Sequence, residues 1–438
     1  MRRILKNKKV LRECKIYQML SAQARKKHLS FHTPGHKIAG ADITELAYSD
    51  NLSCPKGCIM EAEQEIAATL GAHASFILTD GSTAGILSML HAAKAHGVKT
   101  IALCEGSHKS VFNGCALLGI TPLLYPEKKN AGIPLQYTMY ELNEKFPEIL
   151  EGADGLFFTS PNYYGSVAEL KEIREYCDKT GKLLLIDGAH GGHLHFDKKL
   201  HAGAYADLWV DGVHKSLPAL TQGAVVSSRN EKLAESLRLA LDTFRTTSPS
   251  YPIMASVEYA VKLPRNEGLE KAVYAYAKSE PRIVVKEDWT KLCAVFGEHA
   301  FQTEKELEAY GVYPEFCDGN VIMFYLSPAT KRGTFLKLQR VLKALFAQYP
   351  LAEKMDKNHD ESIPTPLVFT EAATEWVTLE KATGRICAMD CGLFPPCTPL
   401  CRKGERVCDN EVYLLKNANN AFGLNKGKML VYQQPKEE

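Results

Sequence analysis

Two charged side chains, a lysine and an aspartate, stand directly after short apolar runs and could take part in covalent chemistry. Lys215 comes shortly after the run Leu208–Val210, and Asp187 directly follows Leu183–Ile186. A lysine held in a partly buried site has a lowered ammonium pKa and becomes a nucleophile that can form an imine. A carboxylate that follows four apolar residues needs a partner if it is buried.

Three further polar segments follow apolar runs and contain groups that could bind a phosphate or a flat ring. Residues 79–83 (Thr-Asp-Gly-Ser-Thr) open a helical pattern, where free N–H groups and the helix dipole favour a phosphate. An ordinary helix cap would explain the same residues. His108, in residues 105–109, could lie over a ring. Residues 160–165 (Ser-Pro-Asn-Tyr-Tyr-Gly) form a turn rich in hydrogen-bond donors.

Together these segments match the requirements of one cofactor, pyridoxal phosphate. The cofactor needs a phosphate anchor, a carboxylate on its pyridinium nitrogen and a lysine that forms an imine. Asp187 and Lys215 supply the last two, and the glycines of residues 188–193 let the backbone approach a ligand closely. In open α/β sheets, ligands bind beyond the carboxyl ends of the strands. We therefore predict a pyridoxal-phosphate site at one edge of one sheet.

Between about residues 70 and 230, strand-like runs alternate with helical patterns, which supplies such a sheet. This alternation indicates a largely parallel sheet covered by helices on both faces. The predicted strands are Phe76–Leu78, Thr100–Leu103, Leu156–Thr159, Leu183–Ile186, Leu208–Val210 and Ala224–Val226. The predicted helices between them are Thr83–His96, Lys109–Leu118 and Ala168–Thr180.

The pattern changes near residue 255, where a second, mixed region begins. A helical stretch at Ser256–Lys262 precedes a strand at Val321–Tyr325, an amphipathic helix at Thr334–Phe346 and a charged loop at Lys354–Glu361. We predict an α/β fold with a smaller α+β domain at the C-terminal end. The expected units are an N-terminal helical arm at 1–30, a large cofactor-binding domain at 31–262 and a small domain at 263–438.

Composition places the chain among ordinary globular proteins. It has 438 residues, of which 45% are hydrophobic and 24% are charged, and its net charge of +2 gives no reason to expect nucleic acid or a membrane surface as partner. The basic start is not followed by an apolar core, so we expect a cytoplasmic protein without a signal peptide. We expect the 13 cysteines to be reduced thiols. The C-terminal set could suggest a metal site, but its spacings lack the CxxC pairing of zinc sites, and we expect no metal at Cys391, Cys397, Cys401 and Cys408.

Several segments resemble the ornithine/lysine/arginine decarboxylases of the aspartate-aminotransferase fold, in their short form without a wing domain. The resemblance is dense from about residue 30 to 260 and thinner beyond. The H-x-P-G-H-K segment together with the His-Lys pair is highly specific among pyridoxal-phosphate enzymes. The resembling segments are residues 31–37, 80–83, 107–110, 160–165, 187–190, 214–215 and 246–251, with 384–386, 394–396 and 404–405 in the C-terminal part.

The resemblance implies roles for individual residues. Lys215 would hold the cofactor as an imine, Asp187 would pair with the pyridinium nitrogen and His108 would stack on the ring. These three are the predicted catalytic residues, and a small-molecule amino acid is the predicted substrate. The predicted cofactor-binding residues are Gly81, Ser82, Thr83, His108, Asp187, His190, His214 and Lys215, with the phosphate at Ser82, Thr83 and His214.

The resemblance also implies a homodimer or a higher homo-oligomer with shared active sites, because Thr246–Tyr251 would approach the neighbouring subunit's site. Three positions depart from the family pattern. Gly212 replaces a frequent serine, Gly188 replaces a frequent glutamate, and Cys397-Thr398 replaces the usual Gly-Ile. The last change falls where the substrate pocket is shaped.

We therefore predict decarboxylation of arginine, lysine or ornithine to the corresponding amine and CO2. Lys215 or His108 would return a proton to the α-carbon, and Glu405 or Asp390 would meet the distal basic group unless both are surface carboxylates. Aminotransferase or β-lyase chemistry on the same fold is an alternative, as is a non-catalytic relative. A metal-dependent hydrolase that uses His190, His193 and His195 is a further alternative.

Overall fold

A seven-stranded sheet with helices on both faces forms the larger part of the molecule. The computed structural model describes residues 5–26, 29–37, 42–130, 132–350, 373–394 and 397–433. In this part of the chain the strands are β1 Ala74–Leu78, β2 Thr100–Cys104, β3 Thr121–Tyr125, β4 Lys128–Asn130, β5 Ile133–Leu135, β6 Gly155–Thr159, β7 Leu183–Gly188, β8 Leu208–Asp211 and β9 Ala224–Ser228.

The strand order in the sheet is β1-β9-β8-β7-β6-β2-β3, and β4 and β5 form a separate hairpin. Neighbours from β8 to β3 are parallel, whereas β9 runs antiparallel to both β8 and β1. This arrangement confirms the predicted, mostly parallel sheet and all six predicted strands. The sequence did not predict β3, an edge strand that contains Pro122 and in which Tyr125 is the buried residue.

Alternate residues of the central strands enter two apolar cores, one on each face of the sheet. Ile186 and Trp209 pack in the first core, and their neighbours Leu185 and Val210 pack in the second. Burial on both faces explains why these strands are continuous apolar runs. The helices of this region are α1 Lys8–Leu11, α2 Lys15–Gln23, α3 Cys58–Leu70, α4 Gly81–Ala95, α5 Lys109–Leu118, α6 Met139–Lys145, α7 Pro147–Gly152, α8 Leu170–Thr180, α9 Val213–Ser216, α10 Glu231–Phe244 and α11 Tyr251–Val261.

The C-terminal region contains smaller antiparallel sheets and separate apolar cores. One core lies among residues 269–349, around the sheet β10-β11-β13-β12, and another lies among residues 379–431. The elements are β10 Ile283–Val284, β11 Lys291–Val295, β12 Phe316–Cys317, β13 Val321–Tyr325, β14 Thr374–Thr378, β15 Cys391–Leu393, β16 Pro399–Cys401, β17 Ala421–Phe422, β18 Leu424–Asn425, β19 Lys428–Tyr432, α12 Glu267–Ser279, α13 Ala300–Ala309, α14 Arg332–Gln348 and α15 Asp409–Asn417.

These elements confirm the predicted fold class, an α/β sheet region followed by a smaller α+β region. The predicted strand at Val321–Tyr325 is β13, and the predicted helix at Thr334–Phe346 lies within α14. The predicted charged loop at Lys354–Glu361 lies outside the described residues. The domain limits at residues 31 and 263 stay predictions.

The N-terminal helices α1 and α2 pack against α11. The hydroxyl oxygen of Tyr259 accepts hydrogen bonds from Lys6 N at 3.1 Å and from Asn7 N at 2.9 Å. The buried carboxylate of Glu258 accepts from Lys15 N and Ile16 N at the start of α2. No helix in the described ranges combines the length and apolar character needed to cross a bilayer.

Candidate active site

Lys215 lies at the carboxyl end of β8, in the single helical turn α9, with its amine in contact with a histidine. Its Nζ is 3.0 Å from Nε2 of His190, which follows the adjacent parallel strand β7. Burial lowers the pKa of the Lys215 ammonium, and the charges of Asp187 and Glu315 oppose this shift. A lysine in this environment loses its proton more readily than a surface lysine, as an imine-forming nucleophile must.

Asp187, near the end of β7, is a buried carboxylate that is 2% exposed. Its Oδ1 accepts a hydrogen bond from the Ala189 N–H at 2.9 Å. Burial raises the pKa of Asp187, whereas this N–H and the charge of Lys215 lower it. A buried carboxyl group of this kind is stabilised as an anion by a nearby cation, and a protonated ring nitrogen would supply one.

The start of α4 forms the turn for which the sequence predicts phosphate binding. Gly81 has a left-handed φ of +75°, and its N–H donates to Gln222 O at 2.9 Å. The side chain of Asp80 does not cap the helix. The hydroxyl of Ser82 is buried and has no hydrogen-bond partner among the described residues. An uncapped helix start beside an unpartnered hydroxyl fits an anionic group.

His108 is the N-cap residue of α5 and is held in a neutral state. Its Nδ1 accepts a hydrogen bond from Ser110 N at 3.2 Å and lies 2.8 Å from Ser110 Oγ. Burial, followed by the charges of Lys215 and Lys109, lowers the pKa of His108 to about 4. At neutral pH the ring is therefore an uncharged, flat surface beside the reactive lysine.

The histidines after β7 do not converge on a common point. His190 contacts Lys215, His193 Nε2 lies 2.9 Å from Asp288 Oδ1, and His195 Nδ1 lies 2.7 Å from Gly192 O. The three side chains therefore have three separate partners, and the structure does not form the metal site of the hydrolase alternative from them.

One cavity of about 1550 Å³ brings together all eight residues that the sequence predicted to bind the cofactor. His214 contributes to it from α9, with its Nδ1 3.0 Å from Gly223 O and with its pKa lowered by burial. Thr246–Tyr251 is not part of the described wall of this cavity. The predicted residues on the wall are Gly81, Ser82, Thr83, His108, Asp187, His190, His214 and Lys215.

The C-terminal region builds a second wall of the cavity. In this wall the sequence predicted Glu405 and the departure at Cys397 but missed Glu315 and Tyr325. Glu315, just before β12, accepts a hydrogen bond from the hydroxyl of Tyr163 at 2.7 Å. The ring of Tyr163 packs edge-on against His190, with their centroids 4.7 Å apart, and Tyr325 lines the same wall. Tyr163 belongs to the turn at residues 160–165 that the sequence indicated, whereas Glu315 follows no motif and Tyr325 is part of a strand whose sequence indicates only core packing.

The two carboxylates predicted for the substrate's distal group lie in different places. Glu405 lines the cavity, whereas Asp390 is not among the lining residues that the structure describes. Glu405 is engaged by Arg402, whose Nε lies 3.5 Å from Glu405 Oε1, and the same guanidinium contacts Glu105 at 3.1 Å. Asp390 Oδ1 instead accepts a hydrogen bond from Lys403 N at 2.8 Å.

Two of the departures from the family pattern are glycines that tight backbone packing requires. A Cβ on Gly212 would lie 2.1 Å from Ala189 O, and a Cβ on Gly188 would lie 2.8 Å from Val210 O. The third departure, Cys397, is buried on the cavity wall with a left-handed φ of +64°. The ends of β7 and β8 thus approach too closely for a side chain at positions 188 and 212.

The chain resembles known decarboxylases over nearly its whole length. A family model for "Orn/Lys/Arg decarboxylase, major domain" matches residues 37–278. The arginine decarboxylase of Bacillus subtilis (strain 168) is 28% identical, over 92% of this chain and 94% of that protein. The uncharacterized protein YaaO of the same organism is 29% identical, over 91% of this chain and 93% of that protein.

Solved structures share the fold at lower sequence identity. The Escherichia coli constitutive lysine decarboxylase has a TM-score of 0.72 at 18% identity, over 97% of this chain and 82% of that chain. The serine palmitoyltransferase of Sphingomonas wittichii has a TM-score of 0.57 at 14% identity, over 79% of this chain and 85% of that chain.

The buried Asp187, the unpartnered Ser82 hydroxyl and the Lys215 amine fit pyridoxal phosphate, which confirms the cofactor expected from the sequence. The family model matches more than half of the chain, which confirms the expected family. The chain belongs to the Orn/Lys/Arg decarboxylase family and is a pyridoxal-phosphate-dependent amino-acid decarboxylase.

Proposed function

We propose that this chain decarboxylates a basic amino acid, namely arginine, lysine or ornithine, with Lys215 as the cofactor lysine. The main support is one cavity that holds a buried lysine, a buried aspartate and neutral histidines on one wall and carboxylates on the other. A substrate with a cationic side chain suits this cavity because the carboxylates would attract the cation. The name of the Bacillus subtilis relative, arginine decarboxylase, agrees with a basic substrate.

We assign the cofactor contacts as the sequence predicted them. Lys215 would hold pyridoxal phosphate, Asp187 would face its ring nitrogen, and Gly81, Ser82, Thr83 and His214 would surround its phosphate. His108 and His190 would lie beside the ring. When bound, the cofactor supplies a ring that accepts the electron pair released as the bond from the α-carbon to the carboxylate breaks.

Residues of the chain would then deliver the proton that replaces CO2 on the α-carbon. Burial lowers the pKa of Lys215, so its Nζ releases a proton more readily than a surface lysine does. Lys215 Nζ is the first candidate to deliver that proton to the α-carbon, and His108 is the second. His190 Nε2, 3.0 Å from Lys215 Nζ, would keep the amine in place until it delivers this proton.

We assign the substrate's distal cation to Glu315. Within the described ranges, no lysine, arginine or histidine forms an ion pair with Glu315, and its hydrogen bond comes from the neutral Tyr163 hydroxyl. Glu405 already has a cationic partner in Arg402. A carboxylate without a cationic partner attracts a guanidinium or ammonium group more strongly than a paired one.

We also propose a homodimer or a higher homo-oligomer. Thr246–Tyr251 lies outside the described wall of its own chain's cavity, as a segment that serves a neighbour would. Two apolar side chains near the H-x-P-G-H-K segment, Leu29 and Phe31, are 86% and 90% exposed, as expected of residues that a second subunit covers. Light scattering of the purified protein should give at least twice the mass of 48.6 kDa.

The deciding experiment supplies arginine, lysine and ornithine separately to the purified holoenzyme and measures both CO2 and the amine product. We expect stoichiometric CO2 and amine from one of the three. Consumption of a keto acid without CO2 would favour an aminotransferase, and release of a β-substituent would favour a β-lyase. Protein that lacks a visible cofactor band would support the non-catalytic alternative.

A further inference from the structure

A second lysine, Lys291, is fully buried beneath the active site and belongs to none of the groups assigned above. It is the first residue of β11, and its cross-strand neighbour is Tyr325. Its Nζ donates hydrogen bonds to Asp288 Oδ2 at 2.5 Å, to the backbone oxygen of His190 at 2.8 Å and to Tyr325 Oη at 2.9 Å. The C-terminal region therefore contacts the active-site loop through a charged side chain.

The charge of Lys291 is balanced within a compact cluster. Burial alone would raise the pKa of Asp288, but the neighbouring His193 and Lys291 hold this pKa well below its usual range. Burial lowers the pKa of Lys291, and the charge of Asp288 opposes that shift. A buried ion pair is costly to desolvate, and a hydrophobic pair of similar volume often replaces it without loss of stability. Stability alone therefore explains the charged cluster poorly.

The cluster joins three segments that form the site. Asp288 N donates to Gly165 O at 3.0 Å, which ties the cluster to the turn that contains Tyr163. The space at Gly165 is so narrow that a Cβ there would lie 3.0 Å from both Asp288 O and Lys291 Cβ. Lys291 itself ties β11 to the backbone of His190.

We propose that Lys291 is a positioning residue that fixes His190, and through His190 the amine of Lys215. Lys291 and Tyr325 both donate to the backbone oxygen of His190, at 2.8 and 3.4 Å, while the imidazole of the same residue meets Lys215 at 3.0 Å. A change in the His190 backbone would therefore move the Nε2 atom that contacts the amine. The inference rests on the proposed role of Lys215.

The cluster also affects the charge state of the histidine. Burial, followed by the charges of Lys215 and Lys291, lowers the pKa of His190 well below its ordinary value. The imidazole is thus neutral at neutral pH and does not repel a protonated Lys215. The titratable groups around the Lys215 amine are Asp187, His108, His190, His214, Glu315, Cys397 and Lys291.

The test measures Lys215 directly, in the full-length protein freed of cofactor and without substrate. Trinitrobenzenesulfonate, which reacts with neutral amines, would be applied over a range of pH, and the labelled Lys215 peptide would be quantified by mass spectrometry. Lys291→Met removes a positive charge and leaves Asp288 negative, so the labelling profile should shift to higher pH. At pH 8 we expect labelling about tenfold slower than in the unsubstituted protein, as loss of a fixed geometry commonly costs that much or more.

A double-mutant cycle separates positioning from a general structural effect. Loss of the Lys291 charge should shift the midpoint of the labelling profile in both backgrounds, so the cycle compares labelling rates at high pH, where Lys215 is neutral. At high pH, Lys291→Met should slow labelling about tenfold with His190 present and should change it little in a His190→Ala background. Equal losses in both backgrounds would overturn the proposal, as would a folded Lys291→Met protein with an unchanged Lys215 profile. Lys262→Met is the matched control, because Lys262 also pairs with a buried carboxylate, Glu258, but lies away from the cavity.

A milder variant keeps the test decisive if Lys291→Met does not fold. Tyr325→Phe removes one donor to the His190 backbone oxygen and leaves the ion pair intact. We expect labelling about two- to threefold slower, as loss of one neutral hydrogen bond predicts, and an unchanged profile in this variant would overturn the proposal. Because labelling needs no substrate, failure of the decarboxylation assay would count against the proposed function and not against this inference.

Discussion

The two walls of the cavity are built from different kinds of structure. Asp187 and His190 lie at the end of β7, and Lys215 lies at the end of β8. These two strands are adjacent and parallel, and neighbouring strands in a sheet are about 5 Å apart. Glu315, Tyr325 and Glu405 come from three separate elements of the C-terminal region. The first wall is fixed by the hydrogen bonds of a central sheet, whereas the second depends on how loops and a smaller sheet pack against it.

With the roles proposed above, this difference separates the reaction from the choice of substrate. Groups on rigid strand ends keep their geometry, which covalent chemistry requires. Loops tolerate changes in sequence, so a wall made of them can change its charge without disturbing the sheet. We expect substitutions on the sheet wall to abolish the reaction and substitutions on the C-terminal wall to change substrate affinity.

The largest effect is expected from Lys215→Ala on the sheet wall. Loss of the amine should remove the visible cofactor band and lower kcat by about a thousandfold or more, in line with the removal of catalytic nucleophiles elsewhere. Absorbance spectra and CO2 release would measure both. Lys199→Ala, at an exposed lysine, is the control. A Lys215→Ala protein that keeps the band would show that another lysine holds the cofactor.

The second largest effect is expected from Glu315→Gln on the C-terminal wall. The amide keeps the side-chain shape but loses the charge, so KM for the basic substrate should rise about 10- to 100-fold, as for loss of a charge-assisted hydrogen bond. The change in kcat should be much smaller. Glu405→Gln, at the carboxylate that Arg402 engages, should raise KM less. A fall in kcat at unchanged KM would place Glu315 with the reaction and would end the division between the two walls.

The sheet wall could be predicted from the sequence because its residues follow strands that are recognisable from the neighbouring sequence alone. Buried parallel strands are continuous apolar runs, and Asp187 and Lys215 follow two of them. Lys291 and Glu315 could not be predicted in this way. Lys291 is the first residue of an apolar strand, a position at which a lysine is usually at the surface. The burial of its amine depends on Asp288, Tyr325 and a loop about 100 residues away in sequence.

A smaller effect, on stability, is expected from Gly212→Ser. The serine would supply the hydroxyl that the family resemblance leads us to expect at this position, but its Cβ would lie 2.1 Å from Ala189 O. We expect the free energy of unfolding to fall by about 2–4 kcal/mol because the ends of β7 and β8 must separate. Gly333→Ser, at an exposed position with open space around its Cβ, is the control. Unchanged stability in Gly212→Ser would show that the sheet wall is more adaptable than its packing indicates.

The smallest expected effect is a dependence of stability on pH that is caused by buried histidines. Burial lowers the pKa of both His108 and His195 to about 4, from an ordinary value of 6.5. Between these values the unfolded chain binds more protons than the folded one, so stability should decrease as the pH falls from 6.5 towards 4. Tm should drop by a few degrees over this range.

His195→Asn provides the control for this pH dependence, because His195 is not among the described residues of the cavity wall. The variant should show a shallower dependence of Tm on pH and unchanged substrate affinity. A dependence as steep as in the unsubstituted protein would assign the acid sensitivity to other groups.

The pairing of β1 with β9 affects the stage of synthesis at which the cofactor site can form. Ala74 lies opposite Ser228 in this pair, and Gly81 at the start of α4 is tied to Gln222 just before β9. Closing a loop of about 150 residues is a slow step in folding because most of the intervening chain must first be placed. A ribosome-bound chain that ends before Gln222 therefore has Lys215 but lacks the residue that holds Gly81 in the predicted phosphate turn. Capture of the cofactor should mark the moment at which synthesis and folding of the large sheet are complete.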